Sequence, residues 1–178
     1  MENRKILCGA SEKAILVVNK CLDKNIPINT MKLEQLLIII HGIMLSKYNT
    51  PFFKENVVAF QHALLIREVD ADFRINAMNF KEKIEEFICL LDAEEQTVDE
   101  VITNYGKNDA FDLMAKKELK LLKEICRFEG IEGACNVVPN ELIEKVFDYY
   151  KFYDVGIVKE NETSFQKRLN LQYGDKIN

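Results

Sequence analysis

Along most of the chain, apolar residues recur at steps of three and four, the period of a helix buried on one side. Ala14, Ile15, Val18, Cys21 and Leu22 form the first such stripe, with Ser11 placed to cap it and Asn25 with the Ile26-Pro27 step placed to stop it. A second helix starts after Thr30, read as its cap. Leu33, Leu36, Leu37, Ile40 and Met44 line one side and Ile38, Ile39 and Ile43 widen the stripe, which predicts a central, buried helix. Gly42 lies inside it, where Gly costs up to ~1 kcal/mol relative to Ala, so another backbone is expected to approach closely there.

Residues 47–51 read as a turn and 52–60 as a segment rich in aromatics and Val, with a short strand over 57–60. Helical spacing returns from Arg67 through Val69, Phe73 and Met78, and a longer helix is expected over 80–104, breakable at 92–97. Gly106 and Asn108 then serve as a left-handed stop and the cap of a helix over 109–128. Gly130 and Gly133 bracket a loop, 134–138 is extended, and Pro139 opens a helix carrying Leu142, Ile143, Val146, Phe147 and Tyr150. Beyond Gly156 the chain is polar, either a tail docked through Phe165 and Leu169 or an extension.

Composition agrees with a mostly α fold. Among 178 residues, 48% are hydrophobic and only 7 are Gly and 3 Pro, so few breakers interrupt the helical pattern. The expectation is one compact domain of about six helices over residues 1–154 with at most a small β element, followed by a C-terminal extension over 155–178. The formal net charge of -5 argues against a dedicated nucleic-acid binder, which needs a basic face. Five Cys (8, 21, 89, 126, 135) at irregular spacing suit a reducing compartment, and the longest wholly apolar run, 36–40, is far too short to span a bilayer. A cytoplasmic protein without a membrane anchor is expected.

Reactive constellations are not apparent. His41 sits at the margin of the second helix's stripe and reads as a structural imidazole, and His62 follows the short strand as a partly exposed spacer. Cys126 and Cys135 have no third and fourth ligand nearby, so no metal and no cofactor are expected. The eight acids within 82–100 read as a solvated face. An enzyme is the weaker class, with no catalytic residue to name.

One ordered series stands out: the helix Met31-Lys32-Leu33-Glu34-Gln35-Leu36-Leu37 running to His41-Gly42, then Pro51-Phe52-Phe53, then Val57-Val58-Ala59-Phe60. Tyr105-Gly106-Lys107 and Pro139-Asn140-Glu141-Leu142-Ile143 with Phe147 extend the register. In this order and spacing, over residues 10–153, the chain resembles the Panacea antitoxin domain, the phage-associated family that includes the SocA-type antitoxins. It departs where the family has a Gly-Pro-Val step (here Ala63-Leu64-Leu65), at the next proline (Arg67), and at a threonine-histidine pair (Ala115-Lys116). The resemblance implies a non-enzymatic module that binds and neutralises a toxic protein partner. The nearest alternative is a viral or mobile-element protein that turns the same scaffold on a host factor.

Positions at and around the departures, Phe60, His62, Arg67, Lys116 and Lys117, are the candidate partner-binding residues. Of the positions where the family pattern is kept, Lys32 near its helix start reads as a solvated side chain. All five thiols are expected to be reduced and the purified protein to hold no stoichiometric metal. Thiol titration under denaturing conditions, with elemental analysis, checks this, and one zinc per chain would contradict it.

Overall fold

A computed structural model describes residues 9–60, 63–73, 80–84, 90–126, 135–153 and 160–174. Among them the fold is mostly helical, with eight α-helices and one three-stranded antiparallel sheet. Helix α1 (Ala10–Asp23) is capped not at Ser11 but at extended Gly9, whose N–H donates to Glu12 Oε2 at 2.7 Å, while Ser11 Oγ reaches Asp72 instead. It ends at Asn25 in the left-handed region (φ 56°), and the Ile26 N–H closes back on the Cys21 carbonyl at 2.8 Å. Helix α2 (Thr30–Tyr48) is likewise capped one residue earlier than expected, by Asn29 Oδ1 accepting from the Lys32 N–H, because the Thr30 hydroxyl donates to the Phe73 carbonyl.

Every α2 residue from Lys32 to Gly42 is buried, and the other elements gather round it. Strands β1 (Val57–Ala59), β2 (Leu64–Ile66) and β3 (Asn136–Val138) follow the order β2-β1-β3. The register is Val58 opposite Leu65 and Val137, and the Phe60 N–H donates to the Ala63 carbonyl at 2.8 Å. By the alternation of antiparallel pairs, Leu64 and Ile66 turn their backbone groups away from β1. There the Leu64 carbonyl accepts from Gln35 Nε2 (3.0 Å) and the Ile66 N–H donates to Glu34 Oε1 (3.1 Å), so α2 side chains close that edge. The same alternation leaves Val137 facing out from the far edge of β3, and its side chain is exposed.

Helix α3 (Arg67–Phe73) follows β2 directly, and Met78 lies outside the described residues. Of the helix expected over 80–104, the described residues form α4 (Asp92–Tyr105), and 85–89 lie outside the described residues. Phe80 to Ile84 is non-helical because other elements take its backbone: the Phe80 N–H donates to the Ile28 carbonyl, and Asn19 both donates to the Ile84 carbonyl (2.8 Å) and accepts its N–H (2.9 Å). Of the acids of α4, Asp92, Glu95 and Glu100 are exposed and Asp99 partly so, the solvated face expected, and only Glu94 is buried. Glu94 is buried against Lys13 at 2.8 Å, Glu95 and Asp99 meet Lys20, and Glu100 faces Lys47.

Gly106 is right-handed rather than left-handed, and Asp109, not Asn108, caps α5 (Ala110–Met114) through the Asp112 N–H. The helix expected over 109–128 breaks at Ala115-Lys116 before α6 (Lys117–Ile125). The reason is phase. Continued unbroken, the α5 face of Ala110 and Leu113 would reach Lys117 and Lys120, whereas the break turns Leu119 and Leu122 inward. Helix α7 (Asn140–Tyr153) begins after Pro139 as expected, and Leu142, Ile143, Val146, Phe147 and Tyr150 are all buried. The C-terminal segment docks: α8 (Glu162–Leu169) and the π-helical turn after it (Asn170–Gly174) bury Phe165, Leu169 and Tyr173, and Phe165 stacks on Tyr149 with ring centroids 3.7 Å apart.

At Gly42 the neighbour is a ring and not a backbone: a Cβ there would fall 2.3 Å from Phe147 of α7. Gly174, in contrast, has nothing within 4 Å of its Cβ direction. Gly42→Ala is therefore expected to lower stability by ~1 to 3 kcal/mol despite the better helix propensity of Ala, while Gly174→Ala stays near neutral. Chemical denaturation of both variants, and of Gly42→Ala combined with Phe147→Leu, checks this. The double variant should recover part of the loss, because the smaller side chain leaves room for the new methyl.

Candidate functional site

The polar side chains buried around α2 are engaged in holding the fold. Lys32, far from being solvated, is 5% exposed, and its ammonium donates to the carbonyls of Gly106 (2.6 Å) and Pro27 (2.9 Å). Burial pulls its pKa below the ordinary lysine value, and the nearby Cys21 and Asp109 oppose that shift. It thus ties the start of α2 to the end of α4, where free carbonyls favour a cation. Lys13 binds Glu94 and lies 4.8 Å from the Phe52 ring centroid, and the same Glu94 oxygen accepts the Leu91 N–H at the start of α4.

His41 is fully buried and stacked on Phe53, with centroids 4.2 Å apart. Its Nδ1 accepts the Phe52 N–H (3.3 Å), so Nε2 carries the proton and donates to Asn140 Oδ1 (2.9 Å). Burial pushes its pKa down to about 4, with the Asn140 bond acting weakly the other way. Burial likewise raises the Cys21 thiol to about 11 and Cys126 to about 12, which keeps both as neutral packing groups. Tyr150 is raised too, by burial first and then by Glu162, to which its hydroxyl donates at 2.6 Å. Among the described residues, no cluster of three or more His, Cys, Asp or Glu could hold a metal, and no helix is long and apolar enough to cross a membrane.

What the fold presents outward is a groove of about 440 Å³ between α4 and α7, with α2 beneath. Ile39, Ile43 and Phe147 make an apolar floor, and Tyr105 closes one side. The rim is polar: Lys47 and Ser46 from α2, Glu100 from α4, Lys116 and Glu118 at the start of α6, Lys151 from α7. Ser46 Oγ donates to Asp148 Oδ1 at 2.6 Å, which fastens α2 to α7 along the floor. Lys47 and Glu100 stand 3.9 Å apart, both about half in solvent, a separation at which an exposed pair contributes little. The Lys116 ammonium lies 4.8 Å from the centroid of the Tyr105 ring.

The five candidates from sequence fall in two places. Phe60, half-buried, and exposed Arg67 lie by the strand alternation on the outer face of the sheet, where Arg67 Nη2 reaches Cys135 Sγ at 2.6 Å. Lys116 lines the groove, and Lys117 points into the neighbouring crevice of α6, α7 and α8, over the Tyr150 ring at 5.9 Å. His62 lies outside the described residues. The groove residues missed in the sequence include Ile39, Ile43, Lys47, Glu100, Phe147 and Lys151. Their one visible signal was the excess width of the α2 stripe, which Ile39 and Ile43 supply. No family model, curated protein or solved structure matches the chain.

His41 sets a pH dependence. Its folded-state pKa near 4 lies below the ordinary 6.5, so unfolding takes up a proton between those values. Its contribution is complete above pH 6.5, falls as pH drops toward 4 and is constant below. For a shift of this size the loss is on the order of 3 kcal/mol. Urea unfolding of wild type and His41→Gln at pH 7 and pH 4.5 measures it: wild type should lose more stability between the two, because carboxylates common to both cancel.

Proposed function

We propose that the chain is a non-enzymatic protein-binding module, as its resemblance to the Panacea antitoxins implies, whose partner is a toxic protein or a host factor. The observation that carries this reading is the groove over α2: an apolar floor bounded by charged side chains, the make-up of a protein contact site with a desolvated centre and a polar rim. The contrast with the interior supports it. The buried His41, Lys13, Lys32 and Glu34 are all bonded to other elements of the fold, so none is aimed into the groove as an acid, base or nucleophile. Such a site selects by shape and charge and does no bond chemistry.

Neutralisation then needs only that the groove cover the partner's working surface, and charges at the rim raise the encounter rate and the selectivity. Ile43 and Phe147 are the expected anchors, since a few well-packed apolar or aromatic groups carry most of the affinity of such interfaces. The tagged chain, isolated from its native source, should bring down one protein partner at near-equal stoichiometry. The complex should re-form from its two purified components and weaken as salt is raised. Recovery of the chain alone at every salt concentration would contradict the reading.

A further inference from the structure

We infer that the groove takes an amphipathic helix of the partner whose apolar ridge is flanked by carboxylates. This rests on the protein-binding reading and names the partner's chemistry. Of the apolar residues in the middle of α2, from Leu33 to Leu45, Ile43 alone is not fully buried, so the helix still lacks a cover along one line. Ile39, Ile43 and Lys47 are spaced four apart on that line, a run of about 12 Å or two helical turns. Phe147 and Lys151, one turn apart on α7, run beside them. The opening lies between helices.

That geometry decides the form of the occupant. The groove is built from α2, α4, α7 and the start of α6, whose interior backbone groups are already bonded within the helices. An extended segment would find no strand edge there, whereas a helix satisfies its own backbone and needs only side-chain contact. A cavity of about 440 Å³ holds a short apolar ridge and not a whole domain.

Charge decides the flanks. The rim carries three ammonium groups, Lys47, Lys116 and Lys151, and two carboxylates, Glu100 and Glu118, and Glu100 already faces Lys47. Among the described residues, Lys116 lies over the face of Tyr105 and forms no ion pair with a carboxylate of the rim, so its charge faces the opening. In a chain of net charge -5 this opening is locally basic, so it attracts an acidic helix while the rest of the surface repels one.

The test uses the full chain and a displayed library of three-turn helical peptides. Each has a Leu ridge at four-residue spacing, and the flanking positions are randomised among Asp, Glu, Lys, Arg, Ser and Gln. The expected winners are rich in Asp and Glu. They should bind wild type about tenfold or more tighter than the Lys47→Glu/Lys116→Glu/Lys151→Glu variant, and also tighter than Ile43→Arg. They should bind a Lys120→Glu/Lys123→Glu/Lys167→Glu variant, which has the same net charge, as well as wild type. Melting temperatures near that of wild type establish that the variants are folded. No enrichment, enrichment of basic peptides, or winners indifferent to the groove substitutions would each overturn the inference. A native partner that still binds the groove variant would sink the groove while leaving the protein-binding reading intact, and the lack of any stoichiometric partner would sink that reading itself.

Discussion

The constraint on which the rest depends is that a buried helix, α2, carries Lys32, Glu34, Gln35 and His41 out of reach of water. Each such group left unbonded would cost ~1 to 3 kcal/mol, more for a charge, so each must find a partner on another element. The partners are backbone groups at places that ordinary secondary structure leaves open: the last carbonyl of α4, the outer edge of β2, and the Phe52 N–H in the turn after α2. One helix therefore sets the positions of three neighbours. No buried side-chain polar atom among the described residues lacks a bond, so this arrangement is fully satisfied and correspondingly intolerant of a shift in register.

Where a segment's own apolar period decides its structure, the sequence was a sufficient guide. That holds for α1, α2, α7, the strand at 57–59 and the helix start at Pro139. It failed where side chains from afar intervene. Ser11 and Thr30 are good caps by type, yet Asp72 and the Phe73 carbonyl claim their hydroxyls, and the caps pass to Gly9 and Asn29. Phe80 to Ile84 has helical spacing, but Asn19, 65 residues away, takes both backbone groups of Ile84. Strand β2 was hidden because Leu64-Leu65-Ile66 is too short for an alternating pattern, and it exists as a strand by virtue of Glu34 and Gln35 on one side and β1 on the other.

The groove was less legible for a different reason. Its residues come from four separated segments, and only Lys116 among the sequence candidates lies in it. The sequence candidates lie at and around the places where the chain differs from the pattern it resembles, and the described ones fall on the sheet face as well as on the start of α6. An unpaired surface, by contrast, reveals itself only when the packing of the whole helix set is known. Ile43 reads in sequence as one more core residue, and its partial exposure follows from its place in the opening lined by α4 and α7. Phe147 joins the two regimes, filling the space over Gly42 on its inner side and flooring the groove on its outer one.

The two margins of the small sheet are treated in opposite ways, and this bears on the chain's solubility at high concentration. Glutamate and glutamine from α2 occupy the β2 margin permanently, so no foreign strand can add there. Among the described residues no strand pairs with the β3 margin, where Val137 is exposed, but it is only three residues long and is followed at once by Pro139, which has no N–H. A stray chain aligning itself along that margin would gain a hydrogen bond or two and then meet a residue unable to donate. Too few bonds form to repay the ordering of a second chain, so brevity and one proline guard against runaway cross-β stacking where no side chain does.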